Sequence, residues 1–519
     1  MNPVFINLIQ QSTGAPVISI APCLQLLSDG ATIPFIARYR KEATHSLDEV
    51  QIASIEKEWK RLKELEDRKN TILEIIELQG KLTPELKSQI SNSWVSSEIE
   101  DLYLPYRPKR KTRASIAKEN GLEPLAQIIM YQQDHNIVAR ADKYINEKVT
   151  TGAAALEGAR DIIAEWINEN VVIRQKIRNQ FEKQALLKAK VVKKKIAEAS
   201  KYQDYFDFDE KLDRCPSHRI LAIFRAEKEG FLKTSITIDA ERACQAIERF
   251  YIKRESSCSE QIVIAIQDAY KRLIHPSLEN EIKKWAKERA DDEAIAVFSN
   301  NLKQLLLAAP AGGAPTLAID PGFRTGCKVA VLDKNANYKH HCTIFPNPPQ
   351  NNRAESSKTL IHLVERYDIE FIAIGNGTAG RETLQFAQDI FRTNNKLKIF
   401  SINESGASIY SASAEAREEF PDLDLTVRGA ISIGRRLIDP LAELVKIDAK
   451  SIGVGQYQHD VQQDKLKESL NQVVSSAVNQ VGANLNTAGY HLLSYVSGIG
   501  PKLAKEIVLH RQANGDFSS

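Results

Sequence analysis

The chain has 519 residues, and its 70 Lys and Arg against 67 Asp and Glu leave a formal net charge of +3 at pH 7. At roughly 150 residues per domain, this length predicts three or four domains. A hydrophobic share of 43% suffices for several cores. The near-neutral balance excludes a polycation, so any attraction to phosphate must come from local clusters of Lys and Arg.

The six cysteines are scattered and form no CxxC pair. This spacing excludes a disulfide framework or a zinc ribbon and predicts reduced thiols. The first residues lack the basic start and apolar centre of a signal peptide. The most apolar window, 305–319, is interrupted by prolines and glycines, which is typical of a linker and not of a membrane span. We therefore expect a soluble cytoplasmic protein that does not contact membranes.

Residues from about 51 to 201 show mostly helical patterns. Apolar side chains from Leu62 to Ile76 recur at spacings of three and four. A second such run starts at Ala159 and reaches Lys201 without Pro or Gly, which predicts a helix far longer than three turns. Five lysines would lie on its solvated face: Lys188, Lys190, Lys193, Lys194 and Lys195. Helical patterns persist to about residue 307, and a pair of strands is the alternative to helix over 219–238.

After a linker-like stretch at 308–315, short apolar strands alternate with helical patterns. This alternation predicts an α/β domain with a largely parallel sheet. The four predicted strands are Leu317–Ile319, Cys327–Leu332, Phe371–Gly375 and Lys398–Ile402. From Pro440 onward the pattern is helical again.

The C-terminal segment contains two helical patterns that flank Gly498-Ile499-Gly500, with Pro501 where the second helix should begin. Such a turn directs backbone N–H groups and a helix N-terminus at one point, which suits a phosphate oxygen. Lys502 and Lys505 add positive charge. We interpret the segment as a helix-hairpin-helix that contacts the nucleic-acid backbone without reading sequence. The alternative is a Gly-rich turn that only joins two packed helices.

A basic run follows the aromatic stretch that contains Tyr103 and Tyr106. Its five positive charges are Arg107, Lys109, Arg110, Lys111 and Arg113. Clustered cations suit phosphate contacts, and the tyrosines are candidates for stacking on a base. The alternative is a solvated loop.

Three carboxylates occupy the positions that an RNase H-like fold uses for two divalent metals. Asp320 ends the first strand of the α/β domain, Glu404 follows the fourth, and Asp439 precedes Pro440 at a helix start. Together they are candidate catalytic residues and Mg²⁺ ligands for phosphodiester cleavage. Each also has a structural interpretation: Asp320 as a turn residue, Asp439 as a helix N-cap and Glu404 as a surface residue.

A competing motif lies in the same domain. Gly375, Gly377 and Gly380 follow a strand and precede a helix in the spacing of a dinucleotide-binding fingerprint, with Glu404 beyond them as a candidate ribose ligand. A Rossmann unit usually opens its domain with this strand, whereas here a hairpin carrying Asp320 comes first. An actin-like ATPase fold is a third option, but the sequence shows no second phosphate-binding strand for it.

Several long motifs together resemble the bacterial Tex family of transcription accessory proteins, over nearly the whole chain. They are Ile33–Glu42, Asp101–Arg113, Ala318–Gly326, Ile374–Ala379, Val427–Leu437 and Ile452–Asp460.

The resemblance implies an elongated, mainly α multi-domain protein that holds nucleic acid around transcription, with no catalytic step implied. Its partners would be RNA and/or DNA and the transcription machinery, and a monomer without a required cofactor is expected; Mg²⁺ enters only if the carboxylates are active. Arg435 and Arg436 join the candidate contacts, and the Gly375–Gly380 turn falls to the RNase H-like sheet. The implied parts are a Tex-type N-terminal helical domain (1–200), a central helical region (201–310), an RNase H-like (YqgF-type) domain (316–450) and an incomplete helix-hairpin-helix region (451–519).

Two departures from the family pattern stand out. The family has Thr-Gly where this chain has Thr44-His45-Ser46, so the turn there is expected to differ. The family also continues into a second hairpin domain and an OB-fold RNA-binding domain beyond the point where this sequence ends, so weaker binding is expected. The leading hypothesis is a sequence-independent nucleic-acid-binding transcription accessory factor. The alternative is a metal-dependent nuclease or junction resolvase.

Overall fold

The computed structural model describes residues 3–108, 110–134, 136–486, 488–515 and 517. The described chain is mainly helical, which confirms the predicted fold class. The first fifteen helices are α1 Pro3–Thr13, α2 Val17–Ser28, α3 Ile33–Tyr39, α4 Glu49–Leu78, α5 Pro84–Asn92, α6 Ser96–Tyr103, α7 Arg113–Glu119, α8 Glu123–Tyr131, α9 Ile137–Ala141, α10 Gly152–Asn168, α11 Val171–Gln184, α12 Ser217–Lys228, α13 Ala240–Tyr251, α14 Ser257–Asp268 and α15 His275–Leu306.

The remaining helices are α16 Arg353–Arg366, α17 Gly380–Ile390, α18 Ala407–Ala412, α19 Ala414–Glu419, α20 Leu425–Ile438, α21 Pro440–Leu444, α22 Gln463–Val481, α23 Tyr490–Ser494 and α24 Pro501–Asn514. The strands are β1 Leu186–Val191, β2 Asp207–Lys211, β3 Leu232–Thr237, β4 Thr316–Asp320, β5 Cys327–Leu332, β6 Tyr338–Ile344, β7 Phe371–Gly375 and β8 Lys398–Ile402. The chain divides into two compact units, Met1–Val17 with Ser54–Asp292 and Ile18–Ala53 with Glu293–Ser519.

The first unit is built mostly from helices. The apolar spacing from Leu62 to Ile76 lies on α4, as predicted, and Ile72 and Ile76 are fully buried. They pack with α5 and α6 in one cluster that also holds Ile90 and Ile99. The helix-period pattern therefore produced the burial that it predicts.

The prediction of one long helix from Ala159 to Lys201 is wrong. The segment is two helices, α10 and α11, followed by β1, which pairs antiparallel with β2 and β3 in the order β2-β1-β3. Leu187 and Ala189 are buried while Lys188 and Lys190 are not. Burial therefore alternates from one residue to the next, as expected for a strand and not for a helix. Lys188 lies opposite Asp209 across the ladder, and a 3₁₀ turn holds Lys193–Lys195.

The strand pair considered as the alternative over 219–238 is wrong in its first half. That half is α12, and only the second half is a strand, β3. Between them the chain turns at Gly230, whose φ of 75° is left-handed.

The second unit contains a five-stranded sheet in the order β6-β5-β4-β7-β8. All four predicted strands are confirmed, but β6 was not predicted. The sheet is mixed. Strand β5 pairs antiparallel with both β4 and β6, whereas β7 pairs parallel with both β4 and β8. The carboxyl ends of β4, β7 and β8 therefore meet at one edge.

Helices cover both faces of this sheet. The larger side chains of the strands pack against α16 and α17, whereas Ala330 and Ala373 face α20. Gly434 of α20 lies so near the sheet that an added Cβ would fall 2.8 Å from the Ala318 Cβ. Small residues on both elements therefore let α20 reach the strand ends.

Among the described residues, no single helix combines the length and the apolar composition that crossing a membrane requires, although the bent pair of α1 and α2 meets both criteria together.

Candidate nucleic-acid interface

The hairpin at the C-terminal end is formed by α23 and α24. The turn closes through the Ile499 amide, which donates to the Val496 carbonyl at 2.9 Å. Gly498 has a φ of 88°, in the left-handed region that favours glycine. Gly500 is the N-cap of α24, and Pro501 is its first residue, as the sequence predicted.

The start of α24 presents backbone donors and positive charge together. The first N–H groups of a helix have no acceptor within it, and this end carries the positive pole of the helix dipole. Gly498, Gly500, Lys502 and Lys505 are all exposed, within one turn and the beginning of one helix. The Lys505 ammonium lies 5.3 Å from the centre of the Tyr490 ring. The four predicted hairpin residues thus share one accessible motif.

Gly500 leaves the start of α24 open. Its φ is −76°, which any residue adopts, and a Cβ added there would meet no atom within 4 Å. Neither conformation nor packing in this chain therefore requires glycine at residue 500. The absence of a side chain lets the backbone of another molecule approach the start of α24 closely.

Asn479 holds the turn in place, and sequence analysis missed it. It lies on α22 and is only 5% exposed. Its amide nitrogen donates to the carbonyls of Ser475 (2.7 Å) and Tyr495 (2.8 Å), and its amide oxygen accepts from the Ser497 N–H (3.0 Å). A single Asn in the buried apolar stripe of α22 was the available signal.

The basic run lies in the first unit, between α6 and α7. Arg107, Arg110, Lys111 and Arg113 are exposed, and Lys109 lies outside the described residues. The run is therefore accessible, although Lys111 forms an ion pair at 3.3 Å with an exposed carboxylate of α7.

The tyrosines before the basic run do not offer free rings. Tyr103 is 4% exposed and packs in the core of α4 to α6, beneath the Arg68 guanidinium. Tyr106 is half-buried against the same core. The predicted stacking on a base is therefore wrong for Tyr103, because the apolar core already covers its ring.

A buried ionic network anchors α6, the helix that leads into the basic run. The Asp101 carboxylate accepts from Arg174 at 2.5 Å and from Arg178 at 2.8 Å. Arg178 also donates to Glu281 at 2.5 Å. The side chains of Asp101, Arg174 and Arg178 are all at most 5% exposed. The network ties α6 to α11 and α15.

Two of the three candidate metal ligands come together in the second unit. Asp320 ends β4, and Glu404 follows β8 at the same sheet edge. Burial, and secondly the nearby Glu404, raise the pKa of Asp320 to about 6. A Cβ on Gly375 or Gly377 would collide with the Glu404 carboxylate. The glycines of this turn thus make room for a side chain of the chain itself, which removes the reason to assign them to a dinucleotide.

The third candidate ligand, Asp439, does not join the pair. It is exposed and caps α21 by accepting from the Ala442 N–H at 3.0 Å. In the part of the chain that the structure describes, no group of three His, Cys, Asp or Glu side chains is placed to hold a metal ion. Two metals would require three converging carboxylates, so these residues do not fit a two-Mg²⁺ centre.

Helix α20 brings Arg436 to this edge instead of an acid. Arg436 is 5% exposed and donates to the carbonyls of Asn403 (2.7 Å) and Ser405 (2.8 Å), on both sides of Glu404. It therefore stabilises the Glu404 loop. The predicted nucleic-acid contact through Arg436 is wrong, since its guanidinium is enclosed by the protein.

Arg435 is also engaged within the protein. Its guanidinium pairs with Glu419 at 2.6 Å, donates to the Ala336 carbonyl at 3.2 Å and lies over the Phe420 ring. The side chain is only 14% exposed. The prediction that it contacts nucleic acid therefore also conflicts with its placement.

Four family models match the chain. They are the Tex-like protein N-terminal domain (residues 3–77), the Tex central region-like model (132–298), the Tex protein YqgF-like domain (314–438) and the helix-hairpin-helix motif (478–519).

Relatives that match nearly the whole of this chain occur in bacteria and animals. An uncharacterized protein YdcI of Bacillus subtilis is 47% identical over 502 residues, covering 96% of this chain and 70% of the relative. The transcriptional accessory protein Tex of Neisseria gonorrhoeae is 44% identical over 524 residues, covering 99% and 68%. The S1 RNA-binding domain-containing protein 1 of Homo sapiens is 33% identical over 540 residues, covering 100% and 54%.

Proposed function

The chain belongs to the Tex family, and we propose that it is a transcription accessory factor that binds RNA or DNA through the sugar-phosphate backbone, without reading sequence. The observation that carries the proposal is the hairpin before α24, in which the open Gly500 N-cap exposes the start of the helix beside the exposed Lys502 and Lys505. The names of the Neisseria and human relatives, which refer to transcription and to RNA binding, support the same function.

The hairpin explains why binding should not depend on sequence. Backbone N–H groups at a helix start hydrogen-bond phosphate oxygens, which are identical at every nucleotide. Lys502 and Lys505 are exposed beside these groups, and we propose that they attract phosphate by their charge. Such contacts give dissociation constants of roughly 10⁻⁴ to 10⁻⁶ M at physiological salt. The exposed cations of the basic run, Arg107, Arg110 and Lys111, are proposed to contribute further phosphate contacts.

The test compares two aspartate variants by fluorescence anisotropy, with labelled RNA and duplex DNA of unrelated sequences. In Gly500→Asp the new carboxylate caps the free N–H groups of α24 and repels phosphate, so affinity should fall about tenfold or more while the helix is stabilised by a few tenths of a kcal/mol. Gly489→Asp is the matched control, because Gly489 is the exposed N-cap of α23 and has equally open surroundings.

Wild-type affinity should be similar for unrelated sequences and fall steeply between about 50 and 200 mM salt. The proposal fails if Gly500→Asp binds as tightly as Gly489→Asp, or if wild-type affinity ignores ionic strength. A marked preference for one nucleotide sequence would overturn the proposal that the protein contacts only the sugar-phosphate backbone.

The geometry gives less support to a nuclease or junction resolvase. Asp439 is turned to its own helix, and the cationic Arg436 lies beside Glu404. Incubation with branched DNA or RNA and Mg²⁺ is expected to leave the nucleic acid intact. Cleavage that disappears in Asp320→Asn would reverse this conclusion.

A further inference from the structure

The C-terminal end of α3 carries an exposed cluster of basic and aromatic side chains. We define the α3 patch as Arg38, Tyr39, Arg40 and Lys41, all of which are exposed. Tyr39 is 58% exposed, so its side chain is accessible to another molecule. Glu42 follows as the one acidic neighbour, so the segment keeps a net positive charge.

The Tyr39 ring is supported from one side and open on the other. Its centre lies 5.5 Å from that of Phe35, one turn earlier on α3, and the Arg40 guanidinium stands 5.0 Å from the Phe35 ring centre. Arg40 also donates to the Tyr39 carbonyl at 3.1 Å. These contacts orient the aromatic ring without covering it.

The turn after the α3 patch holds its backbone in a strained conformation. His45 and Ser46 have φ values of 52° and 65°, which non-glycine residues rarely adopt. The buried Thr44 hydroxyl donates to the Arg40 carbonyl at 3.1 Å, and the Ser46 N–H donates to the Lys41 carbonyl at 2.8 Å. Such strain persists only where the surroundings impose it, often at functional sites.

The α3 patch and the hairpin share one supporting helix. Helix α3 packs against α22, the helix from which Asn479 holds the hairpin turn. After the strained turn, the Glu49 carboxylate accepts from Ser476 on α22, one turn before Asn479. The hairpin and the α3 patch are therefore both attached to α22.

We propose that the α3 patch is a further nucleic-acid contact, in which Tyr39 stacks on a base of a single strand and the neighbouring cations contact its phosphates. The inference rests on the proposed function and deepens it by naming the strand state. An exposed ring flanked by cations is how proteins bind single strands without sequence preference, whereas the bases of a duplex are already stacked on each other.

The experiment measures binding of the full chain to a labelled oligo(U) of about 20 nucleotides and to duplex DNA. Tyr39→Ala should weaken oligo(U) binding at least fivefold, because a stacked base contributes that much, and should leave duplex binding unchanged. Tyr39→Phe should keep wild-type affinity, since the ring face is retained. Tyr131→Ala is the matched control, as Tyr131 is 72% exposed on α8 of the other unit and should not alter binding.

Two further measurements test whether the cations contact phosphates and whether the strand lies at Tyr39. Arg38→Gln with Lys41→Gln should lower the salt slope for oligo(U) by about 1.4, at about 0.7 per phosphate contact on a single strand. Oligo(U) carrying 4-thiouridine should crosslink to Tyr39 under ultraviolet light, as mapped by mass spectrometry.

The outcomes separate the two proposals. If the wild-type chain binds neither probe, the proposed function fails. If wild type binds oligo(U) but Tyr39→Ala and Tyr131→Ala bind it equally, the proposed function stands and the α3 patch is not a nucleic-acid contact. A Tyr39→Ala defect that is equal for duplex and oligo(U) would also overturn base stacking.

Discussion

The buried network around Asp101 makes the sharpest prediction about stability. Asp101→Asn keeps the shape of the side chain but removes the negative charge between Arg174 and Arg178. Arg178 retains Glu281, whereas Arg174 loses its carboxylate partner and keeps neutral acceptors such as Asn168 (3.2 Å) and Ser277 (3.1 Å). The variant therefore buries one positive charge without compensation.

The expected loss follows from this burial. Removing one partner of a buried ion pair destabilises a protein by about 3 to 5 kcal/mol. For a unit of this size, each kcal/mol lowers the Tm by roughly 2 to 4 °C, so the transition of the first unit should drop by about 6 to 20 °C. The exposed Lys111–Glu119 pair is the control, since Glu119→Gln should cost at most about 1 kcal/mol.

The assay is thermal unfolding followed by circular dichroism at 222 nm, with urea unfolding as a second probe. Because Asp101 precedes the basic run, salt-dependent binding is measured on the same samples below the transition. A Tm within about 2 °C of that of Glu119→Gln would refute the assignment of an uncompensated buried charge.

Three further predictions test individual features. Ser46→Gly should stabilise the protein by about 0.5 to 1 kcal/mol, because glycine adopts the left-handed φ of 65° without strain. Ser46→Ala keeps the strain and should not stabilise the protein, so equal Tm values of the two variants would contradict this explanation. Asn479→Leu should remove three hydrogen bonds of the hairpin turn and lower duplex affinity more than Gly489→Asp does, as measured by anisotropy; unchanged affinity would show that the turn holds itself. The pKa of Asp320 is raised to about 6, so its carboxyl keeps its proton in the folded state between about pH 4 and 6, and its contribution to stability falls as the pH rises through that window. The free energy of unfolding of Asp320→Asn should therefore equal that of the wild type at pH 4 and exceed it above pH 6 by up to about 3 kcal/mol. A Tm difference that stays constant across pH would contradict the raised pKa.

Local patterns in the sequence determined much of the fold. The spacing of three and four predicted α4, and short apolar runs between turn residues predicted β4, β5, β7 and β8. The two glycines and Pro501 predicted the hairpin, since turn geometry depends on residues that are adjacent in the chain. These signals arise within a few residues, so no knowledge of packing was needed.

The tertiary structure decided what depends on residues far apart. Lys188 belongs to a strand because β2 and β3 lie beside it, and Arg436 is enclosed because α20 lies on the sheet edge that carries Glu404. The sequence by itself identified the hairpin and the types of residue that bind phosphate. Only packing decided which cations stay at the surface, because burial and pairing are set by neighbours that the linear order does not specify.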